Sequence, residues 1–266
     1  MIFGASFFDH VLDTTHWHIF DSTGFGFHLP NWLTKFVVLQ LIAAAVVAFL
    51  YIRLARRVQS GEPPRGWGWN ALEVILTFIR DQVAKPTLGE EDADRYVPFL
   101  WTMFLFILAN NLLGLVPFMG SATGSILVTG ALALCAFAVI HGAAIVQHGP
   151  LHYLKSYFPH IDAPGGWLIG LFIAFIEIFG HFIKTFVLAV RLFANIFAGH
   201  MVLAVILSFI AMAKHVPDLL FWPISIGSVL FIVALSLLEL FVAFLQAYVF
   251  VYLTALFLGS TLHPEH

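Results

Sequence analysis

Residues 167–212 read WLIGLFIAFIEIFGHFIKTFVLAVRLFANIFAGHMVLAVILSFIAM, and this stretch decides the fold. It contains about 46 mainly apolar residues, whereas one membrane crossing needs only about 20. At ~1.5 Å per residue, a helix of this length is far longer than a ~30 Å hydrocarbon core. Because no proline lies in its middle, we expect one long, steeply tilted helix. A hairpin that folds back within the stretch is the alternative.

Four further apolar stretches, roughly 33–52, 97–118, 126–147 and 222–259, are also long enough to cross a membrane. The last of them is again nearly twice as long as one crossing requires. The chain of 266 residues is 61% hydrophobic and 10% charged, whereas about a quarter of the residues in soluble domains are charged. We therefore predict an all-α, polytopic membrane protein that forms a single domain over residues 1–266. It would have about five crossings, with two long tilted helices within residues 167–259.

Composition also excludes several function classes. A formal net charge of −3 argues against a nucleic-acid partner, and the single cysteine, Cys135, cannot form an internal disulfide. Residues 1–30 lack a signal-peptide pattern and are predicted to be an external segment. An extramembrane loop explains the histidines of this segment better than a metal site does, and we expect neither a metal nor a cofactor. These histidines are His10, His16, His18 and His28.

An amphipathic helix is predicted over residues 70–86, between the first two crossings. Polar residues from Asn70 to Asp81 follow one helical stripe, apolar residues occupy the rest, and Pro86 is expected to end the helix. This pattern is typical of a helix that lies on the membrane surface. The acidic run from Glu90 to Asp94 is expected to be a solvated loop.

The distribution of lysine and arginine predicts the orientation, because both are enriched in cytoplasmic loops. Eight basic residues lie on one side of the predicted crossings and two on the other. We therefore expect the N-terminus to lie outside and the C-terminus in the cytoplasm. The eight are Arg53, Arg56, Arg57, Arg65, Arg80, Lys85, Arg95 and Lys155, and the two are Lys35 and Lys214.

The long stretch carries ionisable side chains at bilayer depth, where each costs about 2.5–3.5 kcal/mol on insertion scales. At ~100° per residue, five of its polar residues fall within about 80° of one another, and His200 lies about 180° from Arg191. A continuous polar stripe of this kind faces protein or water. Its members are Glu177, His181, Lys184, Arg191 and Asn195.

The last apolar stretch adds Glu239 and Gln246 on one face, with Ser236 near them. If the two long helices pack side by side, Glu239 could reach His200 or the stripe that contains Arg191. Imidazole titrates near neutral pH, so a histidine paired with a carboxylate is suited to relay protons.

Simpler roles stay open for several of these residues. Glu177, His181 and Lys184 could form a buried cluster of ion pairs and hydrogen bonds that locks the helix. Asn195 and Gln246 could serve only to bridge helices through hydrogen bonds.

Arg191 is the residue for which a purely structural role is hardest to defend. A guanidinium group stays protonated in proteins, so Arg191 is a permanent positive charge near the membrane centre. It can hold an opposing carboxylate in the ionised state, and it repels protons from a continuous path. The carboxylate belongs to Glu177, to Glu239 or to another subunit.

Around this arginine the sequence resembles subunit a of F-type ATP synthases. RLFANIFAGH at residues 191–200 is similar to the family's R-L-F-x-N-x-x-A-G-[EH] signature, LQAYVF at 245–250 to its final helix, and NNLLGLVP at 110–117 to its second span. Many members carry Glu at the position of His200 and His at the position of Glu239, so the pair is exchanged but complete. Lys184 precedes Thr185 here, where the family often has a basic residue followed by proline.

The resemblance implies a non-catalytic, proton-translocating stator subunit of a rotary ATP synthase. Its partners would be the ring of c subunits with their membrane-centre carboxylates, the peripheral-stalk subunit b, other synthase subunits and the lipid bilayer. Arg191 would face the ring and separate two aqueous half-channels. His200, Glu239, Asn195 and Gln246 would line the outer half-channel, Glu177 and His181 the inner one, and Lys184 and Ser236 would have secondary roles.

A stand-alone secondary ion transporter or antiporter is the alternative. Such proteins often show internal repeats and helices broken by Gly or Pro, and we detect neither pattern. A transporter should exchange ions alone in liposomes, whereas a stator subunit should be inert without its ring. A purely structural membrane scaffold is a third class, which predicts that ion flux survives Arg191→Ala.

Overall fold

The computed structural model describes residues 16–20, 25–28, 34–59, 66–116, 121–151, 153, 166–213 and 218–263. Helices make up most of the described chain. In chain order, the elements are β1 (His16–Phe20), β2 (Phe25–His28), α1 (Lys35–Gln59), α2 (Trp67–Phe78), a π-helical turn (Ile79–Ala84), α3 (Lys85–Leu88), α4 (Glu90–Gly114), a 3₁₀ turn (Ala122–Gly124), α5 (Ile126–His148), α6 (Gly166–Ala213) and α7 (Asp218–Leu262).

Five helices of the described chain, α1, α4, α5, α6 and α7, are long and apolar enough to cross a membrane. The predicted all-α, polytopic fold is therefore confirmed. α6 runs for 48 residues and α7 for 45 without a break, so the hairpin alternative for the long stretches is wrong. Pro223 is the one proline within them, and it lies near the start of α7, where it leaves the rest of the helix intact. The tilt of these helices in a membrane stays a prediction.

A short antiparallel hairpin precedes α1 and was not predicted. In it, β1 pairs with β2 so that His16 lies opposite His28 and Trp17 opposite Phe27. The hairpin belongs to the segment 1–30 that was predicted to be external. The side chains of this segment, including the four histidines, lie outside what the structure describes, as do Arg65, Lys155 and Lys214.

The predicted amphipathic segment is helical and has one buried face. Leu76, Ile79 and Val83 are buried, whereas Glu73 and Thr77 are exposed. This separation agrees with the amphipathic pattern in the sequence. Its position at a membrane surface stays a prediction.

The expected end of this segment at Pro86 is wrong. The amide of Lys85 donates to the carbonyl of Arg80 across the π-helical turn, and Pro86 then lies in the first turn of α3. Proline fits there because its fixed φ of about −65° matches the start of a helical segment. The chain instead leaves the helix at Gly89, where φ is 81°, a conformation that glycine adopts without a steric penalty.

Two charged pairs stabilise the π-helical turn on its exposed side. Lys85 Nζ lies 2.8 Å from Asp81 Oδ1, and this hydrogen bond holds the pKa of Asp81 below its usual value. Arg80 Nη2 lies 2.7 Å from Asp94 Oδ1, which ties the π-helical turn to α4.

The acidic run was predicted to be a loop and is instead the start of α4. Glu90, Glu91 and Asp92 occupy the first turn. Carboxylates are favourable at this end of a helix because the free backbone N–H groups carry partial positive charge. His263 Nε2 also lies 3.1 Å from Asp92 Oδ2. α4 therefore begins at Glu90, and not at residue 97 as predicted.

Packing divides the chain into two compact units. The first comprises Met1–Glu62, Phe104–Val128 and Leu192–Tyr248, and the second comprises Pro63–Met103, Thr129–Arg191 and Val249–His266. α4, α6 and α7 each contribute to both. The prediction of a single domain over residues 1–266 stays a prediction.

Large apolar side chains lie on the outer faces of the long helices. Phe172 and Phe186 of α6 are 65% and 58% exposed, and Leu230 and Phe241 of α7 are 67% and 62% exposed. Soluble proteins rarely expose apolar patches of this extent. These faces are suited to contact lipid or another membrane subunit.

We expect Gly259→Ala to destabilise the second unit. A Cβ atom at Gly259 of α7 would overlap the backbone carbonyl of Thr87, which cannot move without shifting α3. Overpacking of this kind costs about 1–3 kcal/mol. The purified protein in mild detergent should therefore unfold at a lower temperature than the unmodified chain.

Gly227→Ala on the same helix is the matched control, because nothing lies within 4 Å of a Cβ at that position. Alanine favours a helix over glycine by about 1 kcal/mol, so this variant should be as stable as the parent or slightly more stable. Equal unfolding temperatures for the two variants would show that the contact between Gly259 and Thr87 is unimportant.

Candidate functional site

A cavity of about 210 Å³ lies in the first unit and brings three of the predicted site residues together. Asn195 and His200 line it from α6, and Glu239 lines it from α7. A water molecule takes up ~30 Å³ in the liquid, so the cavity can hold several. The remaining wall is formed by Gly114, Leu115, Ile196, Ala198, Gly199, Val202, Leu235, Leu238 and Val242.

Small residues let α6 and α7 approach closely at this cavity. Gly199 lies against the side chain of Glu239, and a Cβ atom at Gly199 would collide with the carboxylate. One turn and two turns further along α7, Ala243 and Ala247 are fully buried. Membrane helices commonly pack on such small residues, because the backbones can then come into contact. The position of Glu239 therefore depends on the absence of a side chain at residue 199.

A buried hydrogen-bond network supports the cavity wall and was not predicted from the sequence. Thr123 Oγ1 donates to Asn111 Oδ1 at 2.9 Å and lies 3.0 Å from Ser121 Oγ. Asn111 Nδ2 donates to the carbonyl of Ala243 at 3.2 Å. The network joins the end of α4 and the 3₁₀ turn to α7, one turn beyond Glu239.

Gln246 lies outside the cavity lining and is buried. It is 4% exposed, and its Nε2 atom has no hydrogen-bond partner among the described residues. A buried donor without a partner costs about 1–3 kcal/mol. Neither Gln246 nor Asn195 makes a side-chain hydrogen bond to another described residue, so the alternative that they only bridge helices finds no support in the structure.

Arg191 lies on an exposed face of α6. Within the described part of the chain, its guanidinium group makes no hydrogen bond or ion pair. Neither Glu177 nor Glu239 is therefore its partner in the isolated chain. The charge is available to a group outside this protein.

Glu177, His181 and Lys184 of α6 belong to the second unit and are not among the residues that line the cavity. The alternative of a cluster formed by Glu177, His181 and Lys184 stays a hypothesis, but no ion pair joins Glu177 to Lys184 among the described residues. The physical reason is that Lys184 points elsewhere: its Nζ lies 5.2 Å from the centroid of the Phe257 ring. His181 instead contacts the ring of His141 on α5, with the centroids 5.4 Å apart. Ser236 is exposed on α7 and does not line the cavity.

Two further groups, Lys35 and His141, were not among the predicted site residues. Lys35, at the start of α1, is only 2% exposed and belongs to the same unit as His200, although the two lie far apart in sequence. His141 was overlooked, and the signal that could have found it was a histidine inside an otherwise apolar membrane helix. No group of three or more metal-ligating side chains occurs in the described ranges.

Comparison with known proteins identifies the family. Residues 37–259 match the family described as ATP synthase A chain. The chain is 38% identical to "ATP synthase subunit a" of Myxococcus xanthus (strain DK1622), over 97% of this chain and 87% of that protein. It is also 38% identical to the protein of the same name from Chloroherpeton thalassium, over 97% and 77% of the two chains. "ATP synthase subunit a 2" of Prosthecochloris aestuarii is again 38% identical, over 97% and 79%. With five apolar helices and a match over most of its length, the chain belongs to the ATP synthase A chain family of multi-pass membrane proteins.

Proposed function

We propose that this chain is the proton-translocating stator subunit of a rotary F-type ATP synthase. It would provide two half-channels to and from the carboxylates of a c-ring, with Arg191 preventing a direct leak. The observation that carries the proposal is Arg191 itself, a permanent charge on an exposed face of a membrane helix without a partner in the described chain. This charge calls for a carboxylate supplied by another subunit.

The exposed position of Arg191 explains how the rotor would be gated. A carboxylate of the ring that meets the guanidinium is held ionised, because a nearby positive charge lowers its pKa. It must therefore release its proton to one half-channel before it passes Arg191, and take up a proton from the other half-channel after it has passed. The arginine cannot carry the proton itself. Ions then cross only when the ring turns.

The cavity in the first unit supports an outer half-channel. It holds a carboxylate, an imidazole and an amide, contributed by Glu239, His200 and Asn195. Each can bind water, and a carboxylate beside an imidazole is suited to relay protons. Gln246, buried on the same helix as Glu239, would extend the polar lining of this half-channel. Ser236, on the exposed surface of α7, has a secondary role in this proposal.

We assign the inner half-channel to the face of α6 that carries Glu177 and His181. Both residues are half-buried, and Glu177 has no ion pair with another described residue. Lys184 would have a secondary role, since its ammonium group packs over the ring of Phe257.

The placement of basic residues supports an orientation in a bacterial inner membrane, with the N-terminus outside and the C-terminus in the cytoplasm. In this orientation residues 70–86 form an interfacial helix on the cytoplasmic side, and residues 167–259 supply the two long helices that face the rotor. The partners would be the c-ring, the peripheral-stalk subunit b, other synthase subunits and lipid. The chain itself would catalyse no bond chemistry. Each charge that crosses 100 mV supplies about 2.3 kcal/mol, which would turn the ring.

The test of this proposal is the replacement of Arg191 in the assembled complex. Its two readouts are ATP-driven proton pumping and passive proton leak in inverted membrane vesicles. A stand-alone transporter would keep its activity without a ring, so the purified chain in liposomes provides the complementary measurement.

We expect Gly199→Ala to reduce proton pumping without loss of assembly. The added methyl group displaces the Glu239 carboxylate, which is the flexible end of a side chain and can move at little structural cost. A carboxylate that relays protons contributes about 10²–10⁴-fold when well placed, so its displacement should lower ATP-driven pumping by about tenfold. The amount of complex in the membranes should not change.

Gly180→Ala is the control for this variant. Gly180 lies on the same helix, and nothing lies within 4 Å of a Cβ at that position. Pumping by Gly180→Ala should equal that of the parent. If Gly199→Ala also pumps at the parental rate, the position of the Glu239 carboxylate is not critical.

A further inference from the structure

The last two turns of α1 concentrate positive charge in a stretch of sequence that has no acidic residue. Arg53, Arg56 and Arg57 lie there, and no Asp or Glu occurs between Asp21 and Glu62. Arg53 and Arg56 are exposed, and neither makes an ion pair or a hydrogen bond with another described residue. These two guanidinium groups are therefore permanent positive charges that are open to an anion from outside the chain.

Both arginines continue the apolar face of α1. At ~100° per residue, Arg53 and Arg56 fall on either side of Phe49 and within about 60° of each other. Leu41 and Ile52 lie within about 80° of Phe49, and all three apolar side chains are more than half exposed. A face that is apolar along its length and cationic at its end matches one leaflet of a bilayer, in which acyl chains lead to phosphate groups.

The length of α1 places the arginines at the level of the lipid headgroups. The part of the helix that is apolar enough to cross a membrane covers Lys35–Arg56, which is 22 residues. At ~1.5 Å per residue this part is ~33 Å long, slightly longer than a ~30 Å hydrocarbon core. Its last turn, from Arg53 to Arg56, therefore ends at the boundary between acyl chains and headgroups.

Contact with an aromatic ring orients one of the two guanidinium groups. Cζ of Arg53 lies 5.4 Å from the centroid of the Phe49 ring, one turn earlier on the helix. A cation–π contact leaves the N–H donors of arginine free to bind an anion. Because the ring already holds the side chain at the helix surface, less conformational entropy is lost on binding. Two parallel N–H donors of arginine fit a phosphate group in a bidentate manner.

We propose that Arg53 and Arg56 bind the phosphate of an anionic phospholipid, whose acyl chains lie along the face formed by Leu41, Phe49 and Ile52. A lipid fits this site better than a free phosphate ion does, because the cationic end is continuous with an apolar face. The bound lipid anchors the end of α1 in its leaflet. The site is separate from the proton path and does not depend on the proposed function.

The experiment measures the binding of phosphatidylglycerol to the purified full chain in mild detergent by native mass spectrometry. Phosphatidylcholine, whose headgroup has no net charge, is the comparison lipid and should bind more weakly. Each arginine near an anionic lipid surface contributes about fivefold to binding, so the double variant Arg53→Gln, Arg56→Gln should lose about 25-fold in affinity for phosphatidylglycerol. The double variant Arg53→Lys, Arg56→Lys should retain part of this affinity, because it keeps the charge but loses the bidentate geometry.

Arg95→Gln is the matched control. Arg95 is also exposed, and its Cζ lies 5.5 Å from the centroid of the Tyr96 ring. It differs in its position near the start of α4, within one turn of Glu91 and Asp94, whose charges repel a phosphate group. This variant should bind phosphatidylglycerol as the parent does.

Unfolding temperature provides a second measurement. A ligand that binds only the folded state stabilises it. Phosphatidylglycerol should therefore raise the unfolding temperature of the parent and of Arg95→Gln by a larger amount than that of the double glutamine variant. If the double glutamine variant does not fold, the two single glutamine variants replace it, and parental binding by both contradicts the proposal.

Four results would overturn the lipid site. The first is parental affinity of the double glutamine variant for phosphatidylglycerol, and the second is an equal loss in Arg95→Gln. The third is displacement of the lipid from the parent by millimolar inorganic phosphate, which would indicate a site for the free anion. The fourth is unchanged lipid binding by the double variant together with loss of a subunit from the complex, which would indicate an acidic protein partner.

Discussion

Arg191→Ala is expected to abolish coupled proton transport while the complex still assembles. The side chain is exposed on α6 and makes no ion pair within the described chain, so its loss leaves no internal charge without a partner. Without the guanidinium nothing holds the ring carboxylate ionised as it passes, so ATP-driven pumping should fall by about a hundredfold or more, which corresponds to about 2.7 kcal/mol. Passive leak of protons should rise, because the barrier between the half-channels is removed.

Arg191→Lys is the more demanding variant. Lysine retains a positive charge in water, but its amine loses its proton more readily in an apolar setting and presents no planar fork to a carboxylate. We therefore expect it to be uncoupled as well. Phe186→Ala on the same helix removes an exposed apolar side chain and should pump normally. Coupled pumping by both arginine variants at the parental rate would rule out a gating role for this residue.

The second large effect is expected from exchanging the two titratable groups of the cavity. His200→Glu places two carboxylates in one cavity, and Glu239→His places two imidazoles there. Either single variant removes a complementary pair, so each should lower ATP-driven pumping by about tenfold. The double variant restores one carboxylate and one imidazole in exchanged positions. It should pump faster than either single variant.

This comparison is a double-mutant cycle, so it measures the coupling between the two side chains and not the effect of either alone. Leu237→Ala, an exposed position of α7 outside the cavity lining, controls for disturbance of the helix. If both single variants pump normally, the relay between His200 and Glu239 is wrong. If the double variant is no better than the worse single variant, the two groups act independently.

Much of the fold could be predicted because two free-energy terms are large and depend only on the local sequence: the transfer of apolar side chains into lipid and the hydrogen bonding of the backbone. An apolar stretch of the length of α6 or α7 must lie in lipid, and a helix satisfies its backbone hydrogen bonds there without outside help. Two predictions were wrong: the end of a helix at Pro86 and a loop at Glu90. In both places a second local effect outweighed the one used for the prediction. A π-helical turn precedes Pro86, and the helix continues through the proline. The acidic run at Glu90 forms the first turn of α4, where the helix dipole favours negative charge.

The candidate site was only partly predictable for a different reason. A charge inside the membrane is conspicuous in any sequence, which is how Arg191, His200 and Glu239 became candidates. Their surroundings depend on contacts across the fold. Glu239 reaches the cavity past Gly199, and Asn111 bonds to the carbonyl of a residue 132 positions away. The functional roles of these residues stay predictions for the experiments above.

The sequence by itself determined the family, the five membrane helices and the presence of a permanent cation among apolar neighbours. These follow from composition and from the free-energy cost of placing a charge in lipid. That cost is a property of each residue and does not depend on tertiary contacts. Only the tertiary structure decided that Asn195, His200 and Glu239 share one cavity, that Glu177 and Lys184 do not pair, and that His181 meets His141. Side-chain contacts between helices depend on how closely the backbones approach and on which faces meet, and helical periodicity within one segment does not specify either.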